Sequence, residues 1–101
     1  MSAVENNLAE KRFQLPIDDS NEIGAVYYRI AGARLVLTHT IVPKKFCGRG
    51  IGSQLARGVF DEVRASGRKA ILVCPFMSAF YAHHPEYADV VEAFPAMREQ
   101  S

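Results

Sequence analysis

The chain has no tryptophan, only two cysteines and no long apolar run, and its charges nearly cancel. The missing tryptophan excludes nothing, but each of the other shortages removes a class of protein. Cys47 and Cys74 are not spaced as C-x-x-C, which argues for reduced thiols in a cytoplasmic protein rather than a disulfide scaffold. No stretch approaches the roughly eighteen apolar residues of a membrane helix, and Met1 to Glu10 is polar, so the sequence predicts neither a span nor a signal peptide. A formal charge of +1 gives no electrostatic ground for binding nucleic acid or an anionic membrane. Nothing repeats, and no segment is of low complexity. What is present is 101 residues, 49% of them hydrophobic, enough for one domain over residues 1–101 with a core from about 11 to 94.

The most informative stretch runs from Val42 to Leu55. Gly48, Gly50 and Gly52 alternate with Arg49 and Ile51, between an apolar β-like run and an amphipathic helical one. Glycine lets backbone N–H groups approach a ligand closely because no Cβ intervenes. The first turn of a helix carries unpaired N–H donors at the positive end of its dipole. A strand, a glycine-rich turn and a helix in series therefore form a cradle for a diphosphate, and Arg49 adds a guanidinium fork. Against this stands a loop that merely turns a corner, with Arg49 as a solvated surface charge. Two better-known phosphate loops fail on spacing. There is no G-x-x-x-x-G-K followed by Ser or Thr, and no third glycine at the dinucleotide spacing.

Periodicity orders the rest. Met1 to Ala9 lacks an apolar period and reads as a frayed start. Phe13, Leu15 and Ile17 alternate with polar residues and with Pro16, which predicts a short strand near an edge. Asp18 to Asn21 is a turn cluster. Ile23 to Ile30 and Arg34 to Val42 are two further strands, giving an antiparallel meander of three. From Gly50 to Ser66 the apolar period becomes helical through Ile51, Leu55, Val59 and Val63, and Gly67 is a helix stop. Ala70 to Cys74 is an apolar run without alternation, as in a strand covered on both faces and parallel to the third. Helices are then predicted over Phe76 to His83 and from Pro85 to about Ala93, with a loose tail after Pro95. The expected class is α/β, a mixed sheet with helices packed on it.

The motifs resemble the GNAT superfamily of N-acetyltransferases. The acetyl-CoA loop of that superfamily has Gln or Arg, two residues, Gly, one residue, then Gly or Ala. Gly50 and Gly52 fill the two small positions, and Cys47 stands where Gln or Arg is usual. Thr38 to Pro43, Phe46 to Gly52, Cys74-Pro75-Phe76 and His84 to Tyr87 occur in the order of a small GNAT-like acetyltransferase-domain family of roughly this length. The resemblance covers Phe13 to Phe94. It implies a minimal GNAT fold and acetyl-CoA or CoA as cofactor. The pantetheine arm would lie between the strands carrying Ile41-Val42 and Val73-Cys74. The diphosphate would sit on Cys47, Gly48, Arg49, Gly50, Ile51, Gly52 and Ser53.

Acetyl transfer needs a proton acceptor for the amine, a polariser for the carbonyl and a donor for the leaving thiolate. A backbone N–H near Ile41-Val42 suits the second task. Relatives often carry Glu where this chain has Ile41, which cannot accept a proton. His39 shares the strand face of Ile41, and imidazole titrates near neutrality, so it is a candidate base. The alternative is a half-buried histidine bonded to the sheet. Cys74 is either a nucleophile or a small buried hydrophobe. Tyr81 matches the superfamily tyrosine that protonates the thiolate, although the small family places its aromatic one residue earlier, at Phe80. Both rings equally suit the cofactor wall or the core. His83, His84 and Cys74 do not have metal-ligand spacing. The sequence therefore predicts an acetyl-CoA-dependent N-acetyltransferase, monomeric or weakly dimeric, acting on an unidentified amine of a small molecule or protein by direct attack. Its alternatives are a CoA-binding module acting through a partner, or an interaction domain without ligand.

Overall fold

A computed structural model describes residues 3–17, 21–44 and 50–93. Six strands make one sheet in sequence order: β1 (Glu5–Asn7), β2 (Arg12–Pro16), β3 (Ile23–Ala31), β4 (Arg34–Ile41), β5 (Lys69–Leu72) and β6 (Val91–Ala93). The first three pairings are antiparallel, and β4–β5 and β5–β6 are parallel. Helix α1 (Ile51–Ser66) makes the crossover between β4 and β5, and α2 (Pro75–Ala82) follows β5. The mixed α/β sheet and the parallel pairing of the strands on either side of α1 are as the sequence predicts.

The helical period of α1 places Leu55, Ala56, Val59, Phe60 and Val63 in the interior, each fully buried. They pack on one sheet face, where Phe13, Leu15, Val26, Tyr28, Leu35 and Leu37 point. Met77 and Phe80 of α2 join the same cluster. Gly67 ends α1 in the left-handed conformation at φ 76°, and its N–H donates to the Arg64 carbonyl at 3.1 Å. Pro75 opens α2 at a first-turn position, where its missing N–H costs nothing.

Three expectations need correction. Residues 5–7 are not frayed but form β1, with Glu5 opposite Gln14 and Asn7 opposite Arg12. Its side chains are polar, so no apolar period betrayed it, and Val4, 5% exposed, anchors it. The β5 region is not covered on both faces: Ala70, Leu72 and Cys74 are buried, whereas Val73 is 49% exposed. Both helices lie on one face, and that left the other open. Beyond Pro85 the chain makes one short 3-10 turn, Pro85–Tyr87, and then enters the sheet as β6. The Ala70 N–H donates to the Val90 carbonyl at 2.7 Å, so a backbone partner on β5 outweighs the local helical preference. The predicted Asp18-to-Asn21 turn and the tail after Pro95 lie wholly or mostly outside the described residues.

Candidate functional site

The site begins with an irregularity in β4. Tyr27 of β3 pairs with His39, but the next residue, Tyr28, pairs with Leu37, so Thr38 is an extra residue. Such a bulge bends its strand and shifts every later side chain to the opposite face. Unbroken alternation from Leu35 and Leu37 would carry His39 and Ile41 into the core. With the bulge they share the open face with Tyr27 and Ala25, and Thr40 turns inward. His39 is exposed, as is Ile41 at 51%.

Thr38 also fixes the His39 ring. Its hydroxyl donates to the Tyr27 carbonyl at 3.1 Å, and its Oγ1 lies 3.3 Å from His39 Nδ1. A hydroxyl has one hydrogen, so the second contact is Nδ1–H donating to Oγ1. In the neutral ring this leaves Nε2 with the lone pair. The imidazole stacks on the Tyr27 ring, 4.8 Å between centroids and 12° between planes. Arg12 in turn donates from Nη1 to the Tyr27 hydroxyl at 3.1 Å. His39 is thus held, oriented and open to solvent.

The bulge also marks where β4 leaves β5. Pairing runs from Arg34↔Lys69 to Leu37↔Leu72, and no later pair forms between these strands among the described residues. The N–H groups of Val73 and Cys74 both donate to the Leu37 carbonyl, at 3.1 and 2.9 Å. Past that fork, His39 to Ile41 is paired with β3 alone among the described residues. Between the parting strands, the Thr40 hydroxyl lies 3.0 Å from Cys74 Sγ. Cys74 is 2% exposed and belongs to the core under the helices. Its neighbour Val73 looks the other way.

Helix α1 opens without a side-chain cap and without an acidic residue in its first turn. Gly50 takes the left-handed conformation at φ 78°, and a Cβ there would meet nothing within 4 Å. The Gln54 N–H donates to the Gly50 carbonyl at 3.0 Å, which leaves the N–H groups of Ile51, Gly52 and Ser53 without intrahelical acceptors. Gly52 has a different reason to be small, because a Cβ would come within 2.9 Å of the Phe76 ring. That packing joins the start of α1 to the start of α2. Val42 is partly buried against the same core as Ile51. Cys47, Gly48 and Arg49 lie outside the described residues.

Phe80 and Tyr81 belong to an aromatic cluster. Phe80 is 8% exposed and stacks on His84 at 4.0 Å, with Phe60 at 6.2 Å. Tyr81 is partly buried, its ring 6.5 Å from that of Phe60. His84 uses both nitrogens: Nδ1 meets the Phe80 carbonyl at 2.9 Å, and Nε2 meets Arg57 at 3.4 Å. Among the described residues no three His, Cys, Asp or Glu side chains converge on a point that could hold a metal. No helix of the described residues is long and apolar enough to cross a membrane.

A parting between parallel strands, beside a helix start with Gly50 and Gly52, is the geometry that the resemblance implied, and comparison with known proteins shows the family. Residues 12–90 match the family model described as GCN5-related N-acetyl-transferase. The chain belongs to this family. Protein NATD1 of Danio rerio is 30% identical over 89 residues, covering 85% of this chain and 81% of its own length. Protein NATD1 of Mus musculus is 30% identical over 83 residues, covering 81% and 76%. The solution structure of a GCN5-like protein from Staphylococcus aureus superposes with a TM-score of 0.67 and 26% identity, covering 92% of both chains. The domain is thus of the GNAT acetyltransferase type, in a small single-sheet form.

Within this GNAT domain the structure gathers His39, Ile41, Thr40 and Cys74 about the fork, with Gly50 to Ser53 at the helix start. Sequence reasoning counted Thr38, Thr40 and Phe76 among the motifs but gave no role to them or to Tyr27, because the Thr38–Tyr27, Thr40–Cys74 and Phe76–Gly52 contacts join residues distant in sequence. Leu37 and His39 are two residues apart, which unbroken alternation would put on one face, and only their different burial reveals the bulge.

Proposed function

We propose that the protein is an acetyl-CoA-dependent N-acetyltransferase that moves acetyl to an amine by direct attack. The parting of β4 from β5 after Leu37↔Leu72 carries this reading. Strand edges freed there offer amide groups to an amide-bearing arm, which otherwise would leave buried polar groups unpaired. The uncapped first turn of α1 offers N–H donors to a diphosphate, so the residues present fit the cofactor. Ile41 and Val42 would line the arm, and Gly50, Ile51, Gly52 and Ser53 the diphosphate, preceded by Cys47, Gly48 and Arg49. The cofactor supplies one thing, an acetyl group activated as a thioester. Every other task falls to the chain.

His39 Nε2 takes the proton of the attacking amine, while Thr38 and Tyr27 hold the ring in place. A backbone N–H at Ile41-Val42 stabilises the oxygen as it gains charge. Tyr81 is the family's candidate for returning a proton to the thiolate. Cys74 packs, with its thiol engaged by Thr40, and takes no acetyl group itself. A second reading, a CoA-binding module with little turnover, is favoured by Ile41 where relatives carry a carboxylate.

Thermal unfolding with CoA tests the cofactor. At a hundredfold excess over the dissociation constant the stabilisation is about 2.7 kcal/mol. Each kcal/mol moves the midpoint of so small a domain by roughly 4–8 °C. Gly50→Val should abolish the shift, since a β-branched residue resists positive φ. An unmoved midpoint with CoA at millimolar concentration sinks the proposal. Intact-mass spectrometry after acetyl-CoA alone should find no adduct on Cys74, and Cys74→Ala should retain most transfer. Free CoA released only in the presence of an amine separates enzyme from binding module.

A further inference from the structure

We infer that the acceptor amine is carried by an acidic stretch of polypeptide, docked on the sheet face that no helix covers. The inference rests on the acetyltransferase reading and names its substrate class. Both α1 and α2 pack on the opposite face, so the face bearing Tyr27, His39 and Ile41 has no second layer among the described residues. Sites for small molecules are concave and enclose most of their ligand. Here the imidazole is exposed, Ile41 beside it is 51% exposed, and Val73 across the fork is 49% exposed. Among the described residues a free small amine would find one side chain to approach and no walls to hold it. An extended chain can instead lie along the sheet and present its amine to His39.

The charges on this face choose the kind of chain. By register and alternation it carries Arg12, Arg29, Arg34 and Lys69 against Glu5 and Glu92. Both carboxylates are already engaged: Glu5 accepts from Gln14 at 3.4 Å, and Glu92 from Arg34 at 2.6 Å. Arg29 lies two residues along β3 from Tyr27, is exposed, and forms no ion pair among the described residues. Arg12 also reaches the Tyr27 ring, its guanidinium carbon 5.8 Å from the centroid. The tyrosine–histidine stack thus shares its face with two guanidinium groups, Arg12 and Arg29, that no carboxylate pairs with among the described residues. Such a field attracts Asp and Glu flanking a lysine and repels a basic tail. Across the family fold the chemistry at the fork can stay the same while this face selects the partner.

The test is binding of fluorescein-labelled peptides, measured by anisotropy with CoA present, so that no turnover is needed. One peptide has a single lysine between runs of Asp and Glu, and another has the same lysine between Lys and Arg. The acidic peptide should bind at least about tenfold more tightly, and added salt should erase much of the difference. Arg29→Glu, at an exposed site outside the residues proposed to hold the cofactor, should weaken the acidic peptide about fivefold or more by charge reversal. It should leave the CoA-induced thermal shift unchanged. Equal binding of the two peptides, binding of neither, or indifference to Arg29→Glu would overturn the inference. So would efficient acetyl transfer to a free diamine that exceeds transfer to the acidic peptide. Loss of the CoA shift in the native protein is a separate result and would sink the acetyltransferase reading itself.

Discussion

The two ends of β4 differ in almost every respect, although they are four residues each of one strand. From Arg34 to Leu37 the strand has neighbours on both sides, and Leu35, Val36 and Leu37 are buried. From Thr38 to Ile41 it keeps β3, loses β5 and turns His39 and Ile41 to the open face. The first end is closed further by charges. Arg34 pairs with Glu92, Arg64 with Asp89 at 2.7 Å, and the Lys69 ammonium donates to the Asp89 carbonyl. The second end holds a stacked imidazole and a threonine–cysteine contact. One end of the strand is closed in on both sides, and the other has one edge free of β5.

The contrast is broken or sharpened by substitution along the strand. Leu37→Ala removes a fully buried side chain at the fork and should cost about 2–5 kcal/mol, read from urea unfolding. Ile41→Ala, four residues on, should change stability by no more than about 0.5 kcal/mol, because its side chain is half in solvent. Similar costs for the two would erase the distinction between the ends. Ile41→Ala should nevertheless weaken CoA binding, if that side chain lines the arm.

Thr40 stands between the two regimes. Thr40→Val keeps its shape and removes the hydroxyl from Cys74 Sγ, for a loss of about 0.5–1.5 kcal/mol. Combined with Cys74→Ala, it should cost less than the sum of the two, since the pair is one contact. Strict additivity in that cycle would mean that the threonine and the thiol do not support each other.

The smallest effect belongs to the closed end and to pH. The Asp89 carboxyl is held below the ordinary carboxylate range, chiefly by the hydrogen bond from Arg64. A depressed folded-state value means stability that is present above the unfolded carboxylate range and lost as pH falls through the folded one. Asp89 is exposed, so the effect is small and screened by salt. The unfolding midpoint should fall more steeply with acid in the native protein than in Asp89→Asn. Parallel pH profiles would show that the bridge contributes nothing. CoA response at the open end should be indifferent to this substitution.

What the sequence by itself determined is whatever depends on neighbours along the chain. The stripe through Leu55, Val59 and Val63 made α1, Gly67 stopped it, and Pro75 allowed α2. The apolar runs of β3, β4 and β5 named themselves, and the alternate glycines marked the start of α1. Tertiary structure decided the rest, because the rest consists of pairings. The polar β1 exists through its register with β2, and β6 through its parallel register with β5, against a local leaning to helix. The bulge at Thr38 is a mismatch between two strands and has no meaning in either alone. It sends His39 to the open face and Thr40 to Cys74, and with it β4 leaves β5. A sequence pattern reports which residues alternate, whereas which face they occupy is set by the partner strand against which they are counted.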